Sequence, residues 1–442
     1  LINDPLAVAD ELVAGLAVAY NGEARLVGRR SLVKTHIPAG KVALLVGGGS
    51  GHEPIYHGLV GRNLADGNGF SFDGVLPTMR RAPLYPALIA LTYKFGANST
   101  FPLKIIQCLF AGGICLFVFE IGRIVYNRKT GILAAVLTAF HPMVFRYVPD
   151  VQVENFLAFL FALTVYVSVR FTLRPHPASG LLLGICGGLT MLIKASVLLY
   201  PPVFAIVWLL VLRQRKREGK SSVDSSDSRP ISAMPSRPIL CVAMIFLGMA
   251  ITVLPWTYRN KTVMGKTVLV SSNAGGEFIR SFVYLKPEYM LLQSEPYGKG
   301  EYEANLMEVR LFEAQGKVWE KDEVETEEIV TKAAKDKLLG APLETVWKCI
   351  KGLFSFWYLV AQRNNAILLI ALALLSWTFT LIGIPRAKAE GRPIWLIFTP
   401  ILTVWFTYAL LLALGRYSST VIPILMIPTA YGILSLGRRS LT

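Results

Sequence analysis

Nine long apolar segments limit what this chain can fold into. They run approximately over residues 103–122, 131–147, 153–169, 178–193, 197–212, 238–257, 366–385, 394–414 and 419–436. A helix needs roughly 20 apolar residues to cross the hydrocarbon core of a bilayer. Because backbone groups in lipid must find their hydrogen bonds within the protein, these segments are expected to be helical. The sequence therefore predicts an all-α polytopic membrane protein with about nine transmembrane helices.

The distribution of basic residues predicts the orientation of these helices. Lys and Arg concentrate in the cytoplasmic loops of membrane proteins. Among the short connections and ends of the apolar segments, one alternating set holds most of the basic residues: Arg123, Arg128, Lys129, Arg170, Arg174, Arg213, Arg215, Lys216, Arg217, Lys220, Arg229, Arg237, Arg386, Lys388, Arg392, Arg438 and Arg439. The net charge of +16 is therefore interpreted as membrane orientation and not as nucleic-acid binding. We expect a multi-pass protein of the inner (plasma) membrane with a cytoplasmic C-terminus.

The composition changes near residue 61 and suggests five parts. Residues 1–61 have the pattern of a soluble α/β piece, with a helix predicted through Val8, Leu12, Leu16 and Ala19, and a buried strand over residues 42–46. The other predicted parts are an external loop with an interfacial helix (62–102), six spans (103–257), an external loop domain (258–365) and three spans (366–442).

Smaller patterns predict local structure at three places. Residues 82–97 are apolar but too short to span, so we expect a helix lying at the outer interface. His141 followed by Pro142 is interpreted as a helix-end pair. The acidic run over residues 320–328 is interpreted as a solvated helix face.

Four motifs in the larger part carry a family resemblance. They occupy residues 62–74 with 81–86, residues 150–155, residues 255–260 with 271–276, and residues 415–417. In this order they resemble membrane glycosyltransferases related to protein O-mannosyltransferases and aminoarabinose transferases, which have the GT-C fold. The resemblance implies transfer of a hexose or pentose from a polyprenyl-phosphate donor to a lipid, glycan or protein acceptor at the outer membrane face. It implies no metal or other cofactor.

The resemblance also implies roles for five residues. A carboxylate must take the acceptor's proton, and cations must hold the polyprenyl phosphate as it leaves. Glu154 and Asp150 are the candidates for the carboxylate, and Lys194, Arg259 and Arg416 for the phosphate contacts. The alternative for all five is a structural role at the outer interface, with Lys194 reaching towards water from a turn. Ionisable residues at membrane depth are costly and often functional.

The first 61 residues resemble a different family. Residues 1–4 and 47–54 are similar to the opening and the Gly-rich motif of the dihydroxyacetone kinase substrate domain. The resemblance implies a truncated α/β kinase-like fragment in which Gly48, Gly49, Ser50 and His52 contact a triose. It leaves two alternative functions, a dihydroxyacetone (glycerone) kinase-related protein and a non-catalytic membrane protein from a gene fusion.

The fragment also affects what is expected of the glycosyltransferase part. The family's catalytic aspartate normally precedes the Arg62-Asn63-Leu64 motif by roughly ten residues and follows a first span. Kinase-like residues occupy that place here, so the catalytic base is unassigned. We therefore expect the chain as written to be a poor enzyme.

Overall fold

The computed structural model describes most of the membrane part of the chain and a little of the N-terminal segment. The described residues are 17–20, 23–26, 37–38, 52–96, 100–218, 235–286, 303–304, 306–307, 310–315, 323–360 and 363–437. In the N-terminal segment they form an antiparallel sheet of the order β1 (Ala17–Tyr20), β2 (Glu23–Leu26) and β3 (Ile37–Pro38).

The helix predicted in this segment is wrong, and the strand predicted there is not covered by the described residues. Ala19, predicted in a helix, lies in strand β1 and pairs with Ala24 of β2. A short apolar repeat is a weak helix signal, and here the pairing of two neighbouring segments overrides it. The strand predicted over residues 42–46 lies outside the described residues.

Fifteen helices make up the rest of the described chain. In order they are α1 His52–Ala65, α2 Leu84–Phe95, α3 Phe101–Val125, α4 Arg128–Phe140, α5 Pro142–Phe145, α6 Val153–Leu173, α7 Pro177–Met191, α8 Tyr200–Arg217, α9 Pro238–Met264, α10 Ala274–Tyr284, α11 Glu323–Gly340, α12 Pro342–Ser355, α13 Arg363–Ala389, α14 Trp395–Leu410 and α15 Ile422–Leu436. Two 3₁₀ turns, Ala195–Val197 and Gly415–Thr420, precede α8 and α15.

The predicted membrane segments all coincide with helices. Five helical segments are long and apolar enough to cross a bilayer: Phe101–Val125, Val153–Leu173, Ala195–Arg217, Pro238–Met264 and Asn364–Ala389. The helices α7, α14 and α15 are apolar but shorter. The chain is thus a multi-pass, mainly helical membrane protein, as predicted.

The predicted segment 131–147 is divided where the His-Pro pair falls. Helix α4 ends at Phe140, and His141 is extended because a residue before proline avoids the helical region. Its ring nitrogen Nδ1 accepts a hydrogen bond from the backbone N–H of Met143 at 3.2 Å and so caps α5. His141 is therefore a helix-end residue, as expected.

Glycines let α7 and α9 pack backbone to backbone. Gly180, Gly184 and Gly188 form a stripe at four-residue spacing along α7. A β-carbon on Gly184 would lie 2.0 Å from the carbonyl oxygen of Ile245 in α9, and one on Gly248 would lie 2.4 Å from that of Leu181 in α7. Small residues at this spacing allow close helix contact in membranes. This contact fixes the end of α7, from which Lys194 projects.

Helix α1 runs through residue 61 without a break and joins the N-terminal segment to the membrane part. It packs against α2, where a β-carbon on Gly61 would lie 2.6 Å from the side chain of Ile89. With 12 residues, α2 is about 18 Å long and too short to cross a membrane. Its N-terminus is tied to the end of α7 by a hydrogen bond from Leu84 N to Leu192 O of 3.0 Å.

The loop after α1 is held by α9 and α11. The carboxylate of Glu323 accepts hydrogen bonds of 2.7 Å from the Thr78 hydroxyl and from the Met79 backbone N–H. The acidic run is thus helical from Glu323 onwards, as predicted. The expectation of a purely solvated face is wrong at Glu323, because the loop supplies donors that bind its carboxylate.

Candidate functional site

Lys194 lies at the end of α7, where the chain leaves the helix and turns towards α8. Its backbone is extended (φ −157°, ψ 125°) and it precedes the 3₁₀ turn Ala195–Val197. The ammonium nitrogen lies 3.8 Å from the centre of the Tyr417 ring and 5.8 Å from that of Tyr408. A cation over an aromatic face is stabilised by the electrons of the ring.

Arg416 reaches the same ring from the 3₁₀ turn Gly415–Thr420. Its guanidinium carbon lies 5.0 Å from the Tyr417 ring centre, and Nη2 donates to the Tyr417 hydroxyl at 3.1 Å. The rings of Tyr408 and Tyr417 are stacked 4.5 Å apart, and Ser196 donates to the Tyr408 hydroxyl at 2.6 Å. The fold therefore brings two predicted phosphate-binding residues onto one aromatic pair.

Glu154 lies beside these cations in the first turn of α6. Its side chain is 2% exposed, and the carboxylate oxygen Oε1 lies 3.9 Å from Arg416 Nε. Neither carboxylate oxygen accepts a hydrogen bond from any described residue. The helix N-terminus and Arg416 both favour the negative charge. A buried carboxylate thus faces one of the two cations.

Asp150, the other carboxylate candidate, lies in the turn before α6 and is half-buried. Burial raises the pKa of its carboxyl group, and nearby Arg146 and Lys104 oppose that shift. Tyr85 of α2 is fully buried, and its pKa is raised by burial and then by the charges of Glu154 and Asp150. The Tyr85 ring centre lies 6.5 Å from that of Phe156, two residues after Glu154, so α2 meets α6 close to the first turn of α6.

Arg259 lies near the C-terminal end of α9 and contacts the loop after α1. Its guanidinium donates to the carbonyl oxygens of Thr78 at 2.7 Å and Phe70 at 3.4 Å, and it lies 4.9 Å from the ring centre of Trp256. These contacts hold the loop to α9. They do not involve Lys194 or Arg416, so a phosphate contact by Arg259 stays a prediction.

The kinase-like motif is only partly within the described residues. Gly48, Gly49 and Ser50 lie outside them, and His52 begins helix α1. Across the described part of the chain, no group of three or more His, Cys, Asp and Glu side chains is arranged to hold a metal ion.

Several residues of the site were not singled out from the sequence. Tyr408 and Gln107 belong to predicted apolar segments, and Tyr85 lies in a family motif without an assigned role. Gln107 carried a usable signal, because a strongly polar side chain inside an apolar run is costly unless it has a purpose. Tyr408 carried none, since its ring is compatible with ordinary packing.

The fold and part of the sequence are similar to known glycosyltransferases. Residues 80–223 match the model of the family dolichyl-phosphate-mannose-protein mannosyltransferase. The crystal structure of the Archaeoglobus fulgidus oligosaccharyltransferase in complex with zinc and sulfate superimposes with a TM-score of 0.51 at 12% identity. The match covers 98% of this chain and 49% of that one. At this identity the likeness shows the fold alone, and the chain spans about half the length of its structural relative.

The N-terminal segment is similar to dihydroxyacetone kinases. Residues 14–70 match the Dak1 domain, nine residues beyond the compositional boundary at 61. The L-erythrulose kinase of Pectobacterium atrosepticum is 43% identical over 67 residues, which are 15% of this chain and 11% of that protein. The dihydroxyacetone-binding subunit DhaK of Escherichia coli is 46% identical over 68 residues, 15% of this chain and 19% of that protein.

Both resemblances seen in the sequence are thus confirmed, each over its own part of the chain. Only a small fraction of each kinase is represented, so the kinases' activities remain statements about those proteins. The larger part of this chain has a helical GT-C fold in which residues 80–223 match the dolichyl-phosphate-mannose-protein mannosyltransferase family, and residues 14–70 match the Dak1 domain.

Proposed function

We propose that this chain transfers a sugar from a polyprenyl-phosphate donor to a lipid, glycan or protein acceptor at the outer face of the inner membrane. The observation that carries the proposal is the convergence of Lys194 and Arg416 on the Tyr417 ring, beside the buried Glu154. The name of the family matched by residues 80–223 supports a lipid-phosphate sugar as the donor class.

The two cations favour an anionic ligand between them. Both cations lie over the Tyr417 ring, and like charges near each other repel, more strongly where water is scarce. A phosphate group would relieve that repulsion and would be stabilised as negative charge develops on its leaving oxygen. The aromatic pair Tyr408 and Tyr417 holds the cations in place.

The proposed reaction has a simple balance. An acceptor oxygen or nitrogen forms a bond to the anomeric carbon of the sugar, and the bond from that carbon to the phosphate oxygen breaks. Lys194 and Arg416 bind the departing polyprenyl phosphate. The acceptor's proton goes to a carboxylate, and Glu154 is the buried carboxylate beside Arg416. Asp150 is the second candidate for this role.

Orientation decides which side of the membrane this site faces. We infer an outer site and a cytoplasmic C-terminus from the basic loops. Reporter proteins fused after Arg217 should read as cytoplasmic and one fused after Gly300 as external. An external reporter at Arg217 would place the site on the wrong side for this proposal.

The transfer itself is tested with labelled polyprenyl-phosphate sugars in membranes containing the chain. Lys194→Gln and Arg416→Gln should each lower transfer by about 10²- to 10³-fold, since each removes a charge that stabilises the leaving phosphate. Arg386→Gln is the matched control, because Arg386 forms a salt bridge with Glu390 near the C-terminal end of α13. Transfer by both site variants at the control rate would contradict the proposal.

Arg259→Gln belongs in the same series. A loss of donor affinity comparable to that of Lys194→Gln would support the phosphate contact predicted for Arg259. Lower thermal stability with unchanged donor affinity would show instead that Arg259 holds the loop in place, in keeping with its bonds to Thr78 and Phe70.

A further inference from the structure

A group of buried amide oxygens lies next to the proposed phosphate site. Gln107 of α3 is 0% exposed and Asn155 of α6 is 2% exposed, while Gln152, which precedes α6, is 8% exposed. The side-chain oxygens of all three are buried and accept no hydrogen bond from any described residue. A buried polar atom without a partner costs about 1–3 kcal/mol, so three in one place call for an explanation.

The hydrogen bonds of the amide nitrogens fix the orientation of two of these groups. Gln107 Nε2 donates to the backbone carbonyl of Asp150 at 2.6 Å, and Asn155 Nδ2 donates to the backbone carbonyl of Gln107 at 2.7 Å. Carbonyl oxygens only accept, so a reversed amide would set two acceptors against each other. The oxygens are therefore the groups left over, and each needs a donor.

The surrounding packing holds this arrangement rigidly. Phe110 of α3, three residues after Gln107, and Phe156 of α6, directly after Asn155, stack with ring centres 4.6 Å apart. The backbone N–H of Gln152 donates to the Asp150 carbonyl that also accepts from Gln107. Two helices and one turn are thus locked together, and the side-chain oxygens of the three amides are left without a described donor.

The position of the group relative to Glu154 and Arg416 indicates what would supply the donors. Asn155 follows Glu154 directly, and Glu154 lies 3.9 Å from Arg416. In a polyprenyl-phosphate sugar the anomeric carbon is bonded to a phosphate oxygen, so the sugar ring must lie next to the phosphate. The hydroxyl groups of the sugar ring would therefore supply several O–H donors to the amide oxygens.

We infer that Gln107, Gln152 and Asn155 form a subsite that binds the hydroxyl groups of the donor's sugar ring, separate from the cations that bind its phosphate. This inference rests on the proposed function. Neutral acceptors suit a neutral polyhydroxylated ring, and they distinguish the sugar-bearing lipid from the bare polyprenyl phosphate left after transfer. The subsite thus provides selectivity for donor over product.

The test compares the affinities of two kinds of lipid for the purified full chain in nanodiscs. The probes are polyprenyl phosphate and polyprenyl phosphates that carry mannose or glucose. The wild-type chain should bind at least one sugar-bearing lipid about tenfold more tightly than the bare lipid, the equivalent of one to two added hydrogen bonds. Gln107→Met and Asn155→Leu should each remove most of that difference and leave the affinity for bare polyprenyl phosphate unchanged.

Two further variants guard against misfolding and against confusion with the phosphate site. Gln152→Met removes an unpaired oxygen that supports no described hydrogen bond, and should also reduce the preference for the sugar-bearing lipid. Thr164→Val is the matched control deeper in α6, because the Thr164 hydroxyl already bonds to Leu160 O and to Thr190. It should leave both affinities unchanged.

The outcomes separate this inference from the proposed function. If the amide variants weaken both lipids equally, or if the wild-type chain binds both equally, the subsite is overturned while the phosphate site stands. If the wild-type chain binds neither lipid, the proposed function itself fails. Two results together would support the phosphate site and the sugar subsite. Lys194→Gln should weaken binding of the bare lipid and of the sugar-bearing lipid, and only the amide variants should lose the preference for the sugar-bearing lipid.

Discussion

Lys194 and Lys348 both lie over aromatic rings, yet their surroundings indicate different roles. Lys348 of α12 is 1% exposed, lies 4.5 Å from the ring centre of Phe278 and donates to the carbonyl oxygens of Ala409, Leu410 and Leu411. Lys194 is half-buried over Tyr417, in the company of Arg416 and the carboxylate of Glu154.

The difference lies in what surrounds each ammonium group. The carbonyls around Lys348 are the last acceptors of helix α14, and a cation there completes the helix end. At Lys194 a second cation is held nearby and a carboxylate lies without hydrogen bonds. The first cation is surrounded by backbone acceptors, whereas the second lies in a group of charged side chains that, under the proposed function, binds an anion. An aromatic ring under a cation therefore does not identify a site, but the neighbouring groups distinguish the two lysines.

The largest effect is expected from replacing Glu154, the carboxylate in the group of charges around Lys194. Glu154→Gln keeps the shape of the side chain and removes its ability to take a proton. If Glu154 receives the acceptor's proton, the turnover of sugar transfer should fall by about 10²- to 10⁴-fold. The measurement is single-turnover transfer with saturating donor, which separates chemistry from lipid binding.

The neighbouring Asp150 is the matched control for that experiment. It is half-buried in the turn before α6, and Asp150→Asn should lower turnover by less than about tenfold, as expected of a residue that does not transfer the proton. A larger loss in Asp150→Asn than in Glu154→Gln would exchange the roles of the two carboxylates. Undiminished turnover in both variants would mean that neither Glu154 nor Asp150 is the base of the reaction.

The sequence predicted the membrane architecture well because its signal is local. Nine apolar segments became helices, and the break at His141 followed from the proline after it. The N-terminal helix through Ala19 failed because a repeat of four small or apolar residues is weak evidence when a pairing strand lies nearby.

The charged residues of the candidate site were predictable from the sequence, but the way they group was not. Lys194, Glu154 and Arg416 could each be singled out, since ionisable residues at span ends are costly or functional. Arg259 carried the same signal; in the structure its guanidinium bonds to the loop after α1, and its phosphate contact stays a prediction. Which cation meets which carboxylate depends on the packing of α6, α7 and the turn before α15, and no local pattern records those contacts.

A smaller effect is expected at Lys348, the other side of the comparison. Lys348→Met should keep the contact with Phe278 and Phe282 but remove the donor to three carbonyl oxygens at the end of α14. We expect a loss of about 2 kcal/mol in the free energy of unfolding. Lys194→Met should leave stability nearly unchanged in the same assay while donor binding falls. Equal losses of stability in both variants would remove the distinction drawn here.

The pH dependence of stability provides the finest test of the same distinction. Burial lowers the pKa of Lys348 to about 8, whereas a lysine in an unfolded chain has a pKa of about 10.4. Between these values the unfolded chain binds more protons than the folded one, so this group makes the free energy of unfolding rise with pH. The rise should be present in the wild-type protein from about pH 8 to 10.4 and absent from Lys348→Met, with chemical unfolding followed at several pH values. Because other groups titrate in this range, the quantity to compare is the difference between the two proteins. A difference that stays constant with pH would mean that Lys348 keeps an ordinary pKa, and that its carbonyl partners offset the cost of burying its charge.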